Sequence, residues 1–356
     1  MNKLVKNLQR AGQTPGLLKF QDGTGLLILP HGGRVLGVFT HRSSQNFLWT
    51  NPALESANGT REFFQSADWH NSGGDRTWLA PEMDLFFPAY PRLDKYFQQR
   101  SLDPGQYRWV KRSGQFELTN RLAVHLSRSG EDLKLSISKR FAPAANPLRH
   151  EQPGLPAGVQ FAGYTQTTLL QMLGSSRRTP WRIGLWQLIQ LPHGGELLIP
   201  TTSRAGVWKI FSSTGRIPQR DVVVTDHLVR YRMNQKGEHK ISLRAVTLTG
   251  RMGYVWASAG TWSLVVRNFN LNPSGEYVDA PWTDPENLGF AVQACNVNSR
   301  LGAFSEMEHH VPAIGGPGGR SLSIDESQLW CFRGTRPAIE RIARILLAPR
   351  ISLRAG

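Results

Sequence analysis

The sequence predicts an all-β protein, and three observations carry that prediction. Short apolar runs and alternating apolar–polar runs recur at close spacing along most of the chain. The 35 glycines supply turns between them, and 11 tryptophans in 356 residues suit pleated, half-buried surfaces better than helical bundles. A hydrophobic fraction of 40% against 19% charged allows a sizeable core and argues against a disordered chain.

The elements follow in order. Gly25–Leu29 and Val35–Phe39 are apolar runs split by the Gly32-Gly33 turn. Gly114–Leu118, Arg121–Leu126 and Leu133–Ser138 alternate, the mark of strands with one buried face, and Thr119-Asn120 and Ser129-Gly130 suit turns between them. Trp186–Gln190, Glu196–Ile199, Val222–Val224, Leu228–Arg232, Tyr254–Trp256, Trp262–Arg267 and Ala303–Glu308 extend the series. Many strands without interleaved helices imply a sandwich or barrel. Leu29-Pro-His-Gly-Gly33 recurs as Leu191-Pro-His-Gly-Gly195, but the flanks do not match, so both read as strand-connecting turns. The stretch from Pro143 to Gly158, with Pro147, Pro153 and Pro156, reads as a connection between two halves of a sandwich. Helix is expected mainly at the end. Pro337 suits a first helical turn, and Ile339, Ile342, Ile345 and Leu346 follow at helical spacing, with Arg341 and Arg344 opposite. Residues 1–335 therefore read as one β domain, and 336–356 as a basic helical tail packed against its own domain.

Net charge is 42 − 26 = +16, with a pI near 10.4. A basic surface attracts anionic polymers, or simply keeps a protein soluble. No block of five or six Lys/Arg appears, and no interleaved basic and aromatic motif, which argues against nucleic acid as a partner. Cys295 and Cys331 are too few for a disulfide scaffold and lack zinc-ligand spacing. No secretory leader is visible and no apolar run approaches 18 residues. A cytoplasmic protein is expected, or a periplasmic one if a leader has been removed. No cofactor motif is recognised.

Two clusters carry the chemistry. Gly73-Gly74-Asp75-Arg76-Thr77-Trp78-Leu79-Ala80-Pro81-Glu82 sets Asp, Arg, Trp and Glu within eight residues. Such side chains are seldom fully buried unless paired, and suit a polar ligand. Ser305-Glu306-Met307-Glu308-His309-His310-Val311-Pro312-Ala313 is the second. As a strand it places Glu306, Glu308 and His310 on one face, and Met307, His309 and Val311 on the other.

Together with Trp186 to Pro200, which holds Pro192-His-Gly-Gly and an apolar strand, these motifs resemble a group of bacterial proteins related to the aldose 1-epimerases (galactose mutarotases). The resemblance covers roughly residues 20 to 335. It implies a galactose mutarotase-like β-supersandwich with a short C-terminal helix, and a carbohydrate ligand, mono- or oligosaccharide, in a cleft on one sheet face. In mutarotases a His protonates the ring oxygen while a Glu takes the anomeric hydroxyl proton. The motifs here do not single out that His, so the implied chemistry is acid–base work on a sugar: epimerase or mutarotase, lyase or hydrolase. The alternative is a non-catalytic carbohydrate-binding protein, in view of the +16 charge one for acidic or sulfated glycans.

The candidate roles follow from residue chemistry. Glu308, Glu306 and Glu82 are the carboxyls available for proton transfer, and His70, which titrates near neutrality, is a candidate general acid. Arg76 is the natural partner of Glu82 or Glu308, or a bidentate ligand of a sugar or substrate carboxylate. Trp69 and Trp78 can stack on a sugar ring, and Asp75, His309 and His310 are further candidate ligand contacts. Asp75 with Glu306 and Glu308 would supply oxygens for calcium, but no calcium-loop pattern accompanies them, and no metal is expected.

Overall fold

The computed structural model describes all residues except 93, 113–114, 152–153, 175–178, 281–286 and 354–356. Two ten-stranded antiparallel sheets enclose the main core. The first runs, edge to edge, Gly16–Lys19, Gly25–Leu29, Arg34–Phe39, Asp75–Ala80, Arg182–Pro192, Gly302–His310, Val292–Ser299, Gly237–Leu243 and Trp208–Ser212, and the short Ile314–Gly315 pairs beside Arg182–Pro192. The second runs Val222–Val224, Leu228–Arg232, Glu196–Pro200, Arg251–Ser258, Thr261–Phe269, Leu322–Gly334, Gln160–Met172, Glu131–Pro143, Gln115–Leu126 and Arg108–Arg112.

Alternation sets the core. Leu79, Leu185, Ile189 and Met307 of the first sheet face Leu135, Ile137, Leu170, Val265 and Leu329 of the second, all essentially inaccessible. Each such side chain contributes about 1.5–3 kcal/mol on burial. The outer face of the second sheet is covered by the helix Arg336–Leu346, whose Ile339, Ile342, Ala343 and Leu346 pack with Leu264, Val266, Trp330 and Phe332. On the first sheet the helices Asn2–Arg10 and Ala57–Gln65 lie over one end, where Leu8 packs with Leu27, Leu29, Leu36 and Phe39. The rest of that outer face carries polar side chains buried beneath the segments that hold Glu82, Asp103 and Asp279. No helix of the described residues is long and apolar enough to cross a membrane.

Three expectations change. Thr119 and Asn120 lie inside the single strand Gln115–Leu126 and not in a turn (Gly114 lies outside the described residues). The Asn120 amide is used up locally: it donates to the Ser101 carbonyl (2.8 Å) and accepts from the Gln106 N–H (3.2 Å). The stretch from Pro143 to Gly158 joins neighbouring strands of one sheet, so it does not bridge two halves; Pro153 lies outside the described residues. Helix is also not confined to the end. Asn2–Arg10, Ala57–Gln65 and Glu82–Phe86 add to Arg336–Leu346, and residues 354–356 of the tail lie outside the described residues. Ala57–Gln65 is short and weakly patterned, but Ser56 caps it by accepting the Gly59 N–H (3.1 Å).

Candidate functional site

The Gly73-Gly74 pair fixes how the first motif enters the sheet. Both residues have positive φ, and a Cβ on either would stand within 2.4 Å of a backbone carbonyl oxygen, that of Trp49 or Val35. From this tight approach Asp75 pairs with Val35 on one side and Ile189 on the other. The register then sets Arg76 opposite Leu188, which lies opposite Glu308, and Trp78 opposite Trp186, which lies opposite His310. On the far side Glu306 lies between Gln190 and Cys295, and Cys295 lies opposite Lys240. Five strands thus bring the two distant motifs onto one face of the first sheet, turned away from the second.

Arg76 and Glu306 form an ion pair (Nη2–Oε1, 3.0 Å), and the Gln190 amide donates to the same carboxylate oxygen (2.9 Å). The Arg76 guanidinium sits 4.2 Å from the Trp78 ring centre and 5.5 Å from that of Trp69. Both indole N–H groups donate to Asp103 Oδ2, at 2.9 and 3.1 Å, and Arg34 donates to the same oxygen at 2.8 Å. Asp103 therefore fixes the aromatic walls around Arg76. Burial and the neighbouring guanidinium of Arg76, only partly offset by Asp103, pull the Arg34 pKa down to about 10.

Glu308 stands in a different setting. Its Oε2 accepts from Trp186 Nε1 (2.9 Å) and lies 3.3 Å from Lys240 Nζ. Lys240 also reaches Glu82 Oε2 (2.9 Å) and lies 4.4 Å from the Trp186 ring centre. Burial of the Glu308 carboxyl raises its pKa to about 8; Lys240 opposes this, and Glu306 and Glu82 add to it. Burial acts to lower Lys240, but Glu308, Glu82 and Asp279 together outweigh it and hold the ammonium well above its ordinary range. One cation thus touches two carboxyls, and the more buried of them, Glu308, holds its proton more tightly than an ordinary carboxyl. His310 stacks on Trp186 with ring centres 5.4 Å apart, and burial, Lys240 and His309 lower its pKa well below the usual value. The neutral ring donates Nε2–H to Gln293 Oε1 (2.8 Å), which leaves Nδ1 an acceptor.

Several buried polar atoms on this face have no hydrogen-bond partner among the described residues: Arg76 Nε and Nη1, Gln190 Oε1, Glu308 Oε1 and His310 Nδ1. Leaving such atoms unpaired costs about 1–3 kcal/mol each. Donors and acceptors both occur in the set, as a polyhydroxylated ligand requires.

The other candidates are placed as follows. Glu82 opens the helix Glu82–Phe86 and joins the cluster through Lys240; its backbone N–H donates to Asp279 (2.7 Å). Arg76 pairs with Glu306 and not with Glu82 or Glu308, because those two converge on Lys240, which the sequence did not mark. Asp75 and His309 are not on this face. Asp75 is buried between the sheets against Arg267 and Tyr164, and His309 lies between the sheets at 3.3 Å from Asp325 and stacks on Phe269. Strand alternation puts both opposite their neighbours Arg76 and Glu308. With Asp75 on the far face, the calcium arrangement does not form, and no group of three potential ligands converges among the described residues. His70 packs against Phe63 and Phe64. One ring nitrogen meets His31 (2.9 Å) and the other the Ser66 carbonyl (3.1 Å), so neither faces the carboxyls. Burial, then His70, lowers the His31 pKa to about 4.

Lys240, Asp103, Gln190, Asp279 and Gln293 complete the cluster. Lys240 and Gln190 lie on alternating strands, where period two marks a face without saying which face is covered. Asp103 and Asp279 come from irregular segments that carry no pattern.

Comparison with known proteins agrees with this architecture. The chain belongs to a family of unknown function, DUF6786, whose model matches residues 5–353. No curated protein matches the sequence. A candidate aldose 1-epimerase from Escherichia coli K12 is similar in structure, with a TM-score of 0.50 at 12% identity over 91% of this chain and 100% of that one. A galactose mutarotase-like protein from Lactobacillus casei gives 0.48 at 9% identity over 89% and 100%. The fold is galactose mutarotase-like.

Proposed function

We propose that this member of DUF6786 binds a sugar on the face formed by Arg76, Gln190, Glu306, Glu308 and His310, and acts on it by acid–base chemistry. The observation that carries the proposal is the set of buried, unpartnered donors and acceptors on that face. They lie beside two carboxyls that their surroundings treat differently. Glu306 and Glu308 are two residues apart on one strand, so roughly 7 Å apart at the backbone. Burial leaves a proton on Glu308, while Arg76 holds Glu306 as an ion pair. A carboxyl raised by burial beside a second one in an ion pair fits the pattern of an acid and a base.

The reaction that fits is ring opening at an anomeric centre. Glu308 gives its proton to the ring oxygen as the C1–O bond breaks. Glu306 takes the proton of the anomeric hydroxyl, whose electrons form the carbonyl. Closure on the other face of that carbonyl returns both protons and yields the other anomer. Trp78 and Trp69 form the apolar wall, and His310 and Gln190 accept from sugar hydroxyls. Arg34, Arg76 and Lys240 stand against Glu82, Asp103, Asp279, Glu306 and Glu308, three cations to five carboxyls. Even with Glu308 protonated, four carboxylates stand against three cations, so the local charge favours a neutral sugar over an acidic one.

A second reading, binding without turnover, is favoured by Lys240 and Arg76, which already neutralise Glu82 and Glu306. Proton NMR exchange between the α and β anomers of a panel of aldoses separates the two. Catalysis predicts enzyme-dependent exchange for at least one sugar, reduced about 100-fold or more in Glu308→Gln. Saturable binding with no exchange for any sugar leaves the second reading.

A further inference from the structure

We propose that a groove on the second sheet is a separate binding site for the oxyanion of a short acidic sugar, a uronate carboxylate or a sulfate ester. The groove encloses about 550 Å³ and is lined by Arg100, Ser101, Gln106, Arg121, Lys134 and Leu173, together with Leu122 and Ala123 of the strand beneath. No carboxylate lines it.

The cations are placed by strand register. Ala123 lies opposite Lys134, and Arg121 opposite Ser136, so Arg121 and Lys134 are diagonal neighbours on one face of adjacent strands. Like charges so placed repel. Both side chains are exposed, and neither meets a carboxylate among the described residues. Arg100 joins them from the preceding loop and spends one N–H on the Ala67 carbonyl (2.9 Å), which leaves other donors of its fork for a ligand. An arriving oxyanion relieves the repulsion and accepts from all three, while the Gln106 side chain and the Ser101 oxygen, whose hydrogen goes to the Ala123 carbonyl, can accept from hydroxyls.

The surroundings limit the class of ligand. A neighbouring cavity of about 380 Å³ shares Lys134 and Leu173 but is lined by Glu131 and Asp132. A long polyanion would run into those carboxylates, so the ligand is short. The groove has no aromatic lining on which bases could stack. Its volume is that of a small-molecule site and exceeds what a lone inorganic ion fills. The carboxylate-rich face of the first sheet thus suits a neutral sugar, and the cationic groove suits an acidic one.

The test is titration calorimetry on the full chain at 50 mM NaCl, with digalacturonate, a sulfated disaccharide, inorganic phosphate and a short oligothymidylate as probes. The expected result is saturable binding of at least one acidic saccharide, weakened about tenfold or more in Arg121→Ala/Lys134→Ala. The double variant should melt with wild type, since both side chains are exposed, and Glu308→Gln should bind the saccharide as wild type does. Phosphate or oligothymidylate binding as tightly as the saccharides would overturn the sugar assignment. Failure of both acidic saccharides to bind, or binding indifferent to the double variant, would overturn the site.

Discussion

Asp75 and Arg76 are neighbours in the chain and belong to different regions of the molecule. Asp75 faces the second sheet, where it meets Arg267 and Tyr164 in a layer that also joins Thr77 to Gln187 (2.6 Å), Gln187 to Asp325 (3.1 Å), and Gln166 to Thr168 (3.1 Å). In that layer the atoms left unpartnered are acceptor oxygens, Asp75 Oδ1 and Gln166 Oε1. Arg76 faces away, among unpartnered donors and acceptors together. Both regions are equally buried: Asp75 and Arg76 are 0% and 3% exposed. Burial of charge alone therefore does not mark a site. What separates the regions is whether the polar groups complete one another or leave donors and acceptors alike without partners.

The sharpest way to break this comparison is Arg267→Met. It leaves Asp75 a buried carboxylate without its cation, and about 3–5 kcal/mol of stability should be lost in denaturant unfolding, with sugar binding by the remaining folded protein unchanged. Equal loss of binding would mean that the two faces are one coupled unit. Glu308→Gln is the counterpart on the other face. It keeps the acceptor for Trp186, so below about pH 4.5, where Glu308 holds its proton in both folded and unfolded chains, stability should change by less than about 1 kcal/mol, while turnover at neutral pH falls.

Acidity sharpens the contrast further. Glu308 is raised from 4.5 to about 8, so between those values the folded chain holds a proton that the unfolded chain has released. Its contribution is complete below about pH 4.5 and is lost as pH rises toward 8. Glu308→Gln should therefore gain stability relative to wild type between pH 5 and pH 8 in paired melting curves. A difference that is flat with pH would mean that Glu308 titrates normally. The smallest expected effect is Thr77→Val, which removes one hydrogen bond from the inter-sheet layer. About 1 kcal/mol should be lost, with no change on the Arg76–Glu306–Glu308 face.

Much of the fold was legible because a period of two is a strong signal. Gly25–Leu29 was read with its observed limits, and Arg336–Leu346 was visible from its isoleucine spacing and Pro337. Thr119-Asn120 is turn-prone by residue type, yet it stays in the strand, where the Asn120 side chain is held by Ser101 and Gln106 of the preceding loop. The site was half legible. Alternation groups Glu306, Glu308 and His310 and sets His309 on the other face, but it gives no sign of which face meets the other sheet, so Asp75 and His309 stand among the candidate ligand contacts although both lie between the sheets. Lys240 and Asp103 were not visible at all. Their importance rests on long-range contacts, 158 residues to Glu82 for Lys240 and 69 to Arg34 for Asp103, and neither lies within a local motif.

The most direct test is a thermal-shift panel of neutral, uronic and sulfated sugars on wild type, Glu308→Gln, Thr77→Val and Arg121→Ala/Lys134→Ala. A ligand at 100 times its Kd adds about 2.7 kcal/mol to the native state, enough to move the melting temperature clearly. The account predicts a neutral sugar whose shift persists in Thr77→Val and in the double variant but changes in Glu308→Gln. No shift with any neutral sugar, or a shift identical in all four proteins, would contradict the assignment of the Arg76–Glu306–Glu308 face as the sugar site.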